Sequence, residues 1–295
     1  MGLFSYYDKP GRGVSKDAPR KKGFFRYFEM FFRKFMKLIG LNIMYFTCSI
    51  PMMIIYYILY TFILSGLFGT FFKTPMASSE ILTFQSIITL FFTIISIIII
   101  GSGPASAASA FVMRNYSKEE HVWLLSDFFD KIRENFVQGI LVSIIDIFVI
   151  VIGFISVIFY YNQYISSGFS IIWFIIMWVI ILGLVLYAFM HCYIYQLMVT
   201  FKNNIFQIFK NALILTTGSI IPFILLSLPV VIYSYFLCNV PFLLILITFL
   251  FGITYLRFPF EFYVANSIQK KILNNINNDD NNDTTDETTT NGSEL

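Results

Sequence analysis

Residues 136–160 read FVQGILVSIIDIFVIVIGFISVIFY, an apolar run whose one charged side chain is Asp146. A hydrocarbon layer about 30 Å thick is crossed by roughly 20 residues of helix rising 1.5 Å each. The run is long enough, and in lipid every backbone amide must be paired within the segment, so it reads as a transmembrane helix. Five further runs qualify, over residues 38–68, 81–102, 170–201, 205–236 and 240–265. A barrel would need short alternating strands, which unbroken stretches such as Ile97-Ile98-Ile99-Ile100 do not offer. The expected fold is therefore all-α, a polytopic membrane protein with six transmembrane helices.

Composition agrees. The chain is 57% hydrophobic and 13% charged, against about 45–50% and about 25% for soluble domains, which excludes an ordinary water-soluble globule. Cys48, Cys192 and Cys238 share no CxxC spacing and read as small buried side chains rather than a disulfide framework or zinc site. No cleaved signal peptide is expected, because the first long apolar run begins near Leu38 and exceeds the length of an h-region.

The cations set the orientation. Ten Lys and Arg lie within residues 9–37, Lys73 stands alone in the first loop, and Arg114, Lys118, Lys131 and Arg133 occupy the second. The third and fifth loops have none, Lys202 and Lys210 flank the fourth, and Lys270 and Lys271 follow the last span. Rich and poor sides alternate, so the positive-inside rule places both termini in the cytoplasm of a multi-pass cell-membrane protein. Residues 1–22 form a basic cytoplasmic leader, residues 23–268 the membrane domain, and residues 269–295 an acidic, Asn/Thr-rich tail expected to be disordered.

Two amphipathic segments accompany the spans. Over residues 23–38, Phe24, Phe28, Phe31, Phe32 and Phe35 share one side, opposite Arg26, Glu29, Arg33 and Lys37. This predicts an N-terminal helix in the headgroup plane, with residues 9–37 meeting anionic lipid headgroups of the bilayer; the alternative is that it merely extends the first span. The cytoplasmic loop of about residues 103–135 holds Ser117-Lys118-Glu119-Glu120, which fits a capping box at a helix start. Beyond it Val122, Trp123, Leu125, Phe128, Phe129, Ile132 and Phe136 oppose Asp127, Asp130, Lys131 and Glu134. Aromatic, basic stretches lead into spans at Phe35, Phe136 and Phe209, which points to three repeats of an interfacial helix plus two spans.

Signatures of enzymatic chemistry are missing: the sequence has no P-loop, HExxH or GxSxG, and its two histidines, His121 and His191, are far apart. We expect no enzyme, no cofactor, no metal and no nucleic-acid partner. Four ionisable residues inside or near span ends form the candidate intramembrane site: Asp146, His191, Arg257 and Glu261. Asp146 sits near the midplane, where it either serves an ion or substrate or makes a structural hydrogen bond, with Ser49, Thr216 and Thr217 as candidate partners. His191, Arg257 and Glu261 fall nearer the cytoplasmic ends, within snorkelling reach, and Arg257 and Glu261 are spaced to pair. Candidate helix-breaking or packing positions are Pro51, Gly101, Gly103, Pro104, Gly218 and Pro222. These either kink helices or open a midplane site.

The leader ending RKKGFFRYFEMFFRKFMKL, the Ile50-Pro51 step, GPASAASAFVMRN and SKEEHVWLLSDFFDKIRENF together resemble the bacterial YesL-type family of integral membrane proteins, a domain-of-unknown-function group. The likeness is densest over the first 140 residues. It implies a non-enzymatic accessory role beside carbohydrate ABC-type transporters, with their subunits as partners. The chain lacks the Glu-Ala-Ala loop typical of sugar-importer permeases. A stand-alone secondary transporter and a membrane scaffold or sensor are the alternative expectations.

Overall fold

The computed structural model describes residues 23–71, 103–239 and 252–273. Residues 1–22, the span expected over 81–102 with Gly101, the first half of that over 240–265, and the tail beyond 273 lie outside the described residues. Within them the regular structure is helical. The helices are α1 (Gly23–Arg33), α2 (Phe35–Phe71), α3 (Pro104–Lys118), α4 (Leu124–Glu134), α5 (Phe136–Ser166), α6 (Ile171–Thr200), α7 (Ile205–Thr217), α8 (Ile220–Asn239) and α9 (Ile253–Ile268), which runs into a π-helical turn, Gln269–Leu273.

Among these, Phe35–Ile55, Phe136–Ser166 and Ile171–Thr200 are each long and apolar enough to cross a membrane. Their outward faces are apolar as well: Phe148 on α5 is 62% exposed and Leu182 on α6 is 65% exposed. A continuous surface of such side chains is unfavourable in water, at about 25 cal/mol per Å², and neutral in hydrocarbon. The chain is a membrane protein by this criterion.

The span expected over 205–236 is not one straight helix but a bent pair. α7 and α8 meet at 89°, and the chain turns at Gly218–Ser219. Pro222 does not cause the break. It stands in the first turn of α8, where a backbone N–H has no intrahelical acceptor and its loss costs little. Pro51 does not break α2 either, since the helix continues through it.

The bend reveals a repeated unit. α1 and α4 are both 11 residues long. Each ends in a single non-helical residue, Lys34 or Asn135, before a long helix that begins with Phe35 or Phe136. α7 (13 residues) and α8 repeat the short-then-long order, with two residues, Gly218 and Ser219, between them. The third repeat therefore enters its long helix at Ile220, not at Phe209 as the sequence pattern placed it.

At the centre of the bundle α3, the last turns of α6 and α9 pack against one another. Small residues permit this: in α3 every side chain from Ala105 to Ala110 is buried, and Ala and Ser let helix backbones approach closely. Gly103, with φ at 110°, turns the chain into α3, and Pro104 opens the helix. α5 crosses this corner at Gly139, where an added Cβ would meet the Pro104 nitrogen at 2.6 Å.

The capping box expected over residues 117–120 is replaced by a helix end. Glu119 terminates α3 in the left-handed region (φ 68°), and its N–H and that of Glu120 bond back to the Tyr116 and Asn115 carbonyls. α4 begins later, and Asp127 accepts the Trp123 N–H at 2.9 Å. The left-handed turn aims Glu119 at α1, where Arg33 Nη2 lies at 2.8 Å and Arg26 Nε at 3.5 Å. The Arg33 hydrogen bond, together with the charges of Arg33 and Arg26, outweighs partial burial and holds this carboxyl below the usual glutamate range. The clamp is thus charged at any ordinary pH.

α1 is amphipathic as expected, with one adjustment. Phe24 and Phe32 are each 70% exposed, whereas Phe31 turns inward onto Tyr255 and Phe258 of α9. On α4, Phe128 is buried and Leu125 and Phe129 are exposed, as is Trp123 just before the helix.

Candidate functional site

Polar side chains collect where α3, α6 and α9 meet. α9 contributes Arg257 and Glu261, one helical turn apart on the same side. Arg257 Nη2 donates to Glu261 Oε1 at 3.1 Å. The other guanidinium arm donates to Tyr45 Oη on α2 at 2.7 Å and to Ser106 Oγ on α3 at 3.2 Å. Gln196 of α6 donates through Nε2 to Glu261 Oε2 at 2.6 Å. One carboxylate and one guanidinium thereby tie four helices together.

A second group adjoins the first. Asp146 of α5 accepts a short hydrogen bond from the Tyr187 hydroxyl through Oδ1 and faces His191 Nε2 through Oδ2 at 3.1 Å. His191 stands edge-on to the Tyr195 ring, 4.8 Å between centroids. Tyr195 Oη in turn accepts the Gly103 N–H. His191 is within electrostatic reach of Glu261, so the two groups form one interior cluster.

Burial is complete. Asp146, His191 and Glu261 are 0% exposed and Arg257 is 3% exposed. The snorkelling expected of His191, Arg257 and Glu261 is therefore corrected: none reaches water, because α2, α3 and α5 cover the ends of α6 and α9 that local sequence leaves open. The expected Asp146 partners are corrected too. Thr217 bonds to its own helix at Ile214, and Ser49 and Thr216 have buried hydroxyls with no partner among the described residues.

Sequence reading missed Tyr45, Ser106, Tyr187, Tyr195 and Gln196. Tyrosine is ambiguous by type, since it also marks membrane interfaces. The periodicity of α6 did hold a signal: Tyr187, His191 and Tyr195 recur every fourth residue and so share one face. Gly103, Pro104 and Pro51 do not join the cluster as a ligand set; Gly103 reaches it only through its backbone N–H.

Among the described residues no group of three or more His, Cys, Asp and Glu is arranged to hold a metal ion. A cleft of about 520 Å³ lies between α5 and α6, lined by Phe148, Ile152, Gly153, Ile180, Gly183 and Tyr187 among others. Its walls are apolar apart from Ser156 and the tyrosine hydroxyl, and that hydroxyl is committed to Asp146.

With this geometry in view, comparison with known proteins gives one match. The model of a family described as a protein of unknown function, DUF624, matches residues 82–163. The described part of that stretch is α3, α4 and most of α5, and so includes Asp146. No curated protein and no solved structure matches the chain.

Proposed function

We propose that the chain is a six-span integral protein of the cell membrane, of the YesL type, with both termini cytoplasmic. In this reading it acts as a non-enzymatic accessory component of a carbohydrate ABC-type transport system. The resemblance carried by GPASAASAFVMRN and SKEEHVWLLSDFFDKIRENF supports the type, and the alternation of cations supports the orientation.

The observation that supports the accessory role is that the interior ionisable side chains are engaged with one another within the chain. Arg257 is engaged by Glu261, and Asp146 by His191 and Tyr187. A carrier for a polar solute presents unmatched polar groups to a cavity the solute can enter, whereas the cleft beside Asp146 is apolar. The free surface lies instead on α4 and the residue that precedes it, Trp123, which is 71% exposed, with Asp130 and Arg133 beside the aromatic face. That surface suits a transporter subunit lying against the membrane, and makes lipid contact in its absence.

Reconstitution tests the reading. The purified protein in liposomes should show no solute uptake driven by an ion gradient, while its deletion should lower uptake by the transporter with which it co-purifies. Ion-driven uptake by the protein alone would establish the secondary-transporter alternative instead.

A further inference from the structure

The cleft between α5 and α6 has a local cause. The two helices touch where Leu184 seats on Gly153, at which an added Cβ would meet Leu184 Cδ2 at 2.5 Å. One residue earlier on α6, Gly183 has no side chain to fill the space beside that contact, and an added Cβ there would meet nothing within 4 Å. A close approach thus sits next to a gap. Phe148 and Ile152 on its rim are 62% and 60% exposed, so the gap opens outward.

Dimensions decide what can enter. From Ile145 to Ser156 the lining runs about 16 Å along α5, at 1.5 Å per residue. The volume of about 520 Å³ divided by that length is a mean cross-section of roughly 30 Å². A helix about 10–12 Å across needs roughly 80–110 Å², so no helix, of this chain or of another, fits. The cleft also falls far short of the surface of about 1,200 Å² or more that a specific dimer buries. A single file of methylene groups, with neighbouring carbons at about 3.5–4.0 Å, takes roughly 20 Å² and fits once. Ile145 and Ser156 each lie about 13 Å or more from the nearer end of α5, a depth that the polar headgroups do not reach. We propose that this cleft binds the distal part of one phospholipid acyl chain, as a site distinct from the lipid that surrounds the protein. Its one phenolic hydroxyl, that of Tyr187, is given to Asp146, so the site recognises hydrocarbon and leaves the headgroup unselected. Tyr187 stands at the Ile145 end, and the bound chain lies against the side chain that holds Asp146. The site goes beyond the accessory role and stands whether or not that role holds.

The full chain in nanodiscs containing a phospholipid with a photoactivatable diazirine near the end of its acyl chain tests this, the labelled residues being mapped by mass spectrometry. Residues 145–156 and 180–187 should be labelled about fivefold or more above the similarly exposed face of α8 at Ile224, Leu225, Leu228 and Ile232. Gly183→Leu, which places a side chain in the cleft, should bring the two regions to the same level and leave α8 unchanged. Uniform labelling of the parent would overturn the proposal, since it means surrounding lipid only. So would undiminished labelling of the cleft in a folded Gly183→Leu protein; if that variant does not fold, the pattern of the parent decides. A free fatty acid carrying the same group that labels the cleft more strongly than the phospholipid would overturn the assignment of the chain to a phospholipid. Irradiation of a Phe148→p-benzoylphenylalanine protein should yield a lipid adduct, and a link between two copies of the chain in its place would contradict the proposal.

Discussion

Replacing Arg257 by methionine will destabilise the bundle by about 3–5 kcal/mol, the usual cost of leaving one member of a buried ion pair uncompensated. The substitution keeps most of the side-chain volume but strips Glu261 of its cation and leaves Tyr45 Oη and Ser106 Oγ without the guanidinium donor. Water cannot restore the loss, since Glu261 is 0% exposed. Removing the carboxylate as well should reverse most of the effect, because a whole buried pair is often replaced by apolar groups at little cost. Thermal unfolding in detergent micelles will show Arg257→Met melting far below the parent, and Arg257→Met/Glu261→Leu recovering much of the difference. A single variant that melts like the parent would mean that the pair does not hold α9 in place.

Gly139→Ala will also destabilise strongly, by about 1–3 kcal/mol for the overpacking, although alanine is the better helix former. Its Cβ would lie 2.6 Å from the Pro104 nitrogen and 2.9 Å from the Gly103 carbonyl carbon and the Pro104 Cα. These are backbone atoms at a turn already held with φ at 110°, so α5 must withdraw from α3. Gly183→Ala on α6 is the matched control, since an added Cβ there meets nothing within 4 Å. It should be neutral or stabilise by up to about 1 kcal/mol. Equal melting temperatures for the two variants would refute the close crossing of α5 over the start of α3.

How far the sequence could be read depended on whether the deciding forces were local. Apolar run length is local, and the run over 136–160 recurs as the core of Phe136–Ser166 and that over 170–201 as Ile171–Thr200. The amphipathic character of α1 and α4 was legible from spacing alone. The break between α7 and α8 was legible in part: Gly218 and Pro222 both stood out as breakers, and the chain turns at Gly218–Ser219, although at a φ of −77° Gly218 uses none of glycine's special freedom. Ser117 matched a helix start but belongs to a helix end, since the left-handed turn at Glu119 is held by Arg33, 86 residues away. Asp146, Arg257 and Glu261 were visible as charges out of place. Their partners were not, because Tyr187, Gln196 and Tyr45 acquire their roles from helices that meet only in three dimensions.

Topology mapping in intact cells tests the six-span reading most directly. Fusions at Lys73, Ser167 and Asn239 to a reporter active only outside the cytoplasm should be active, and those at Glu120, Asn203 and Asn281 inactive. A reporter that fluoresces only in the cytoplasm should give the opposite pattern at all six positions. One reversed position, above all an external Asn203 between α6 and α7, would contradict the alternation of the three units across the membrane.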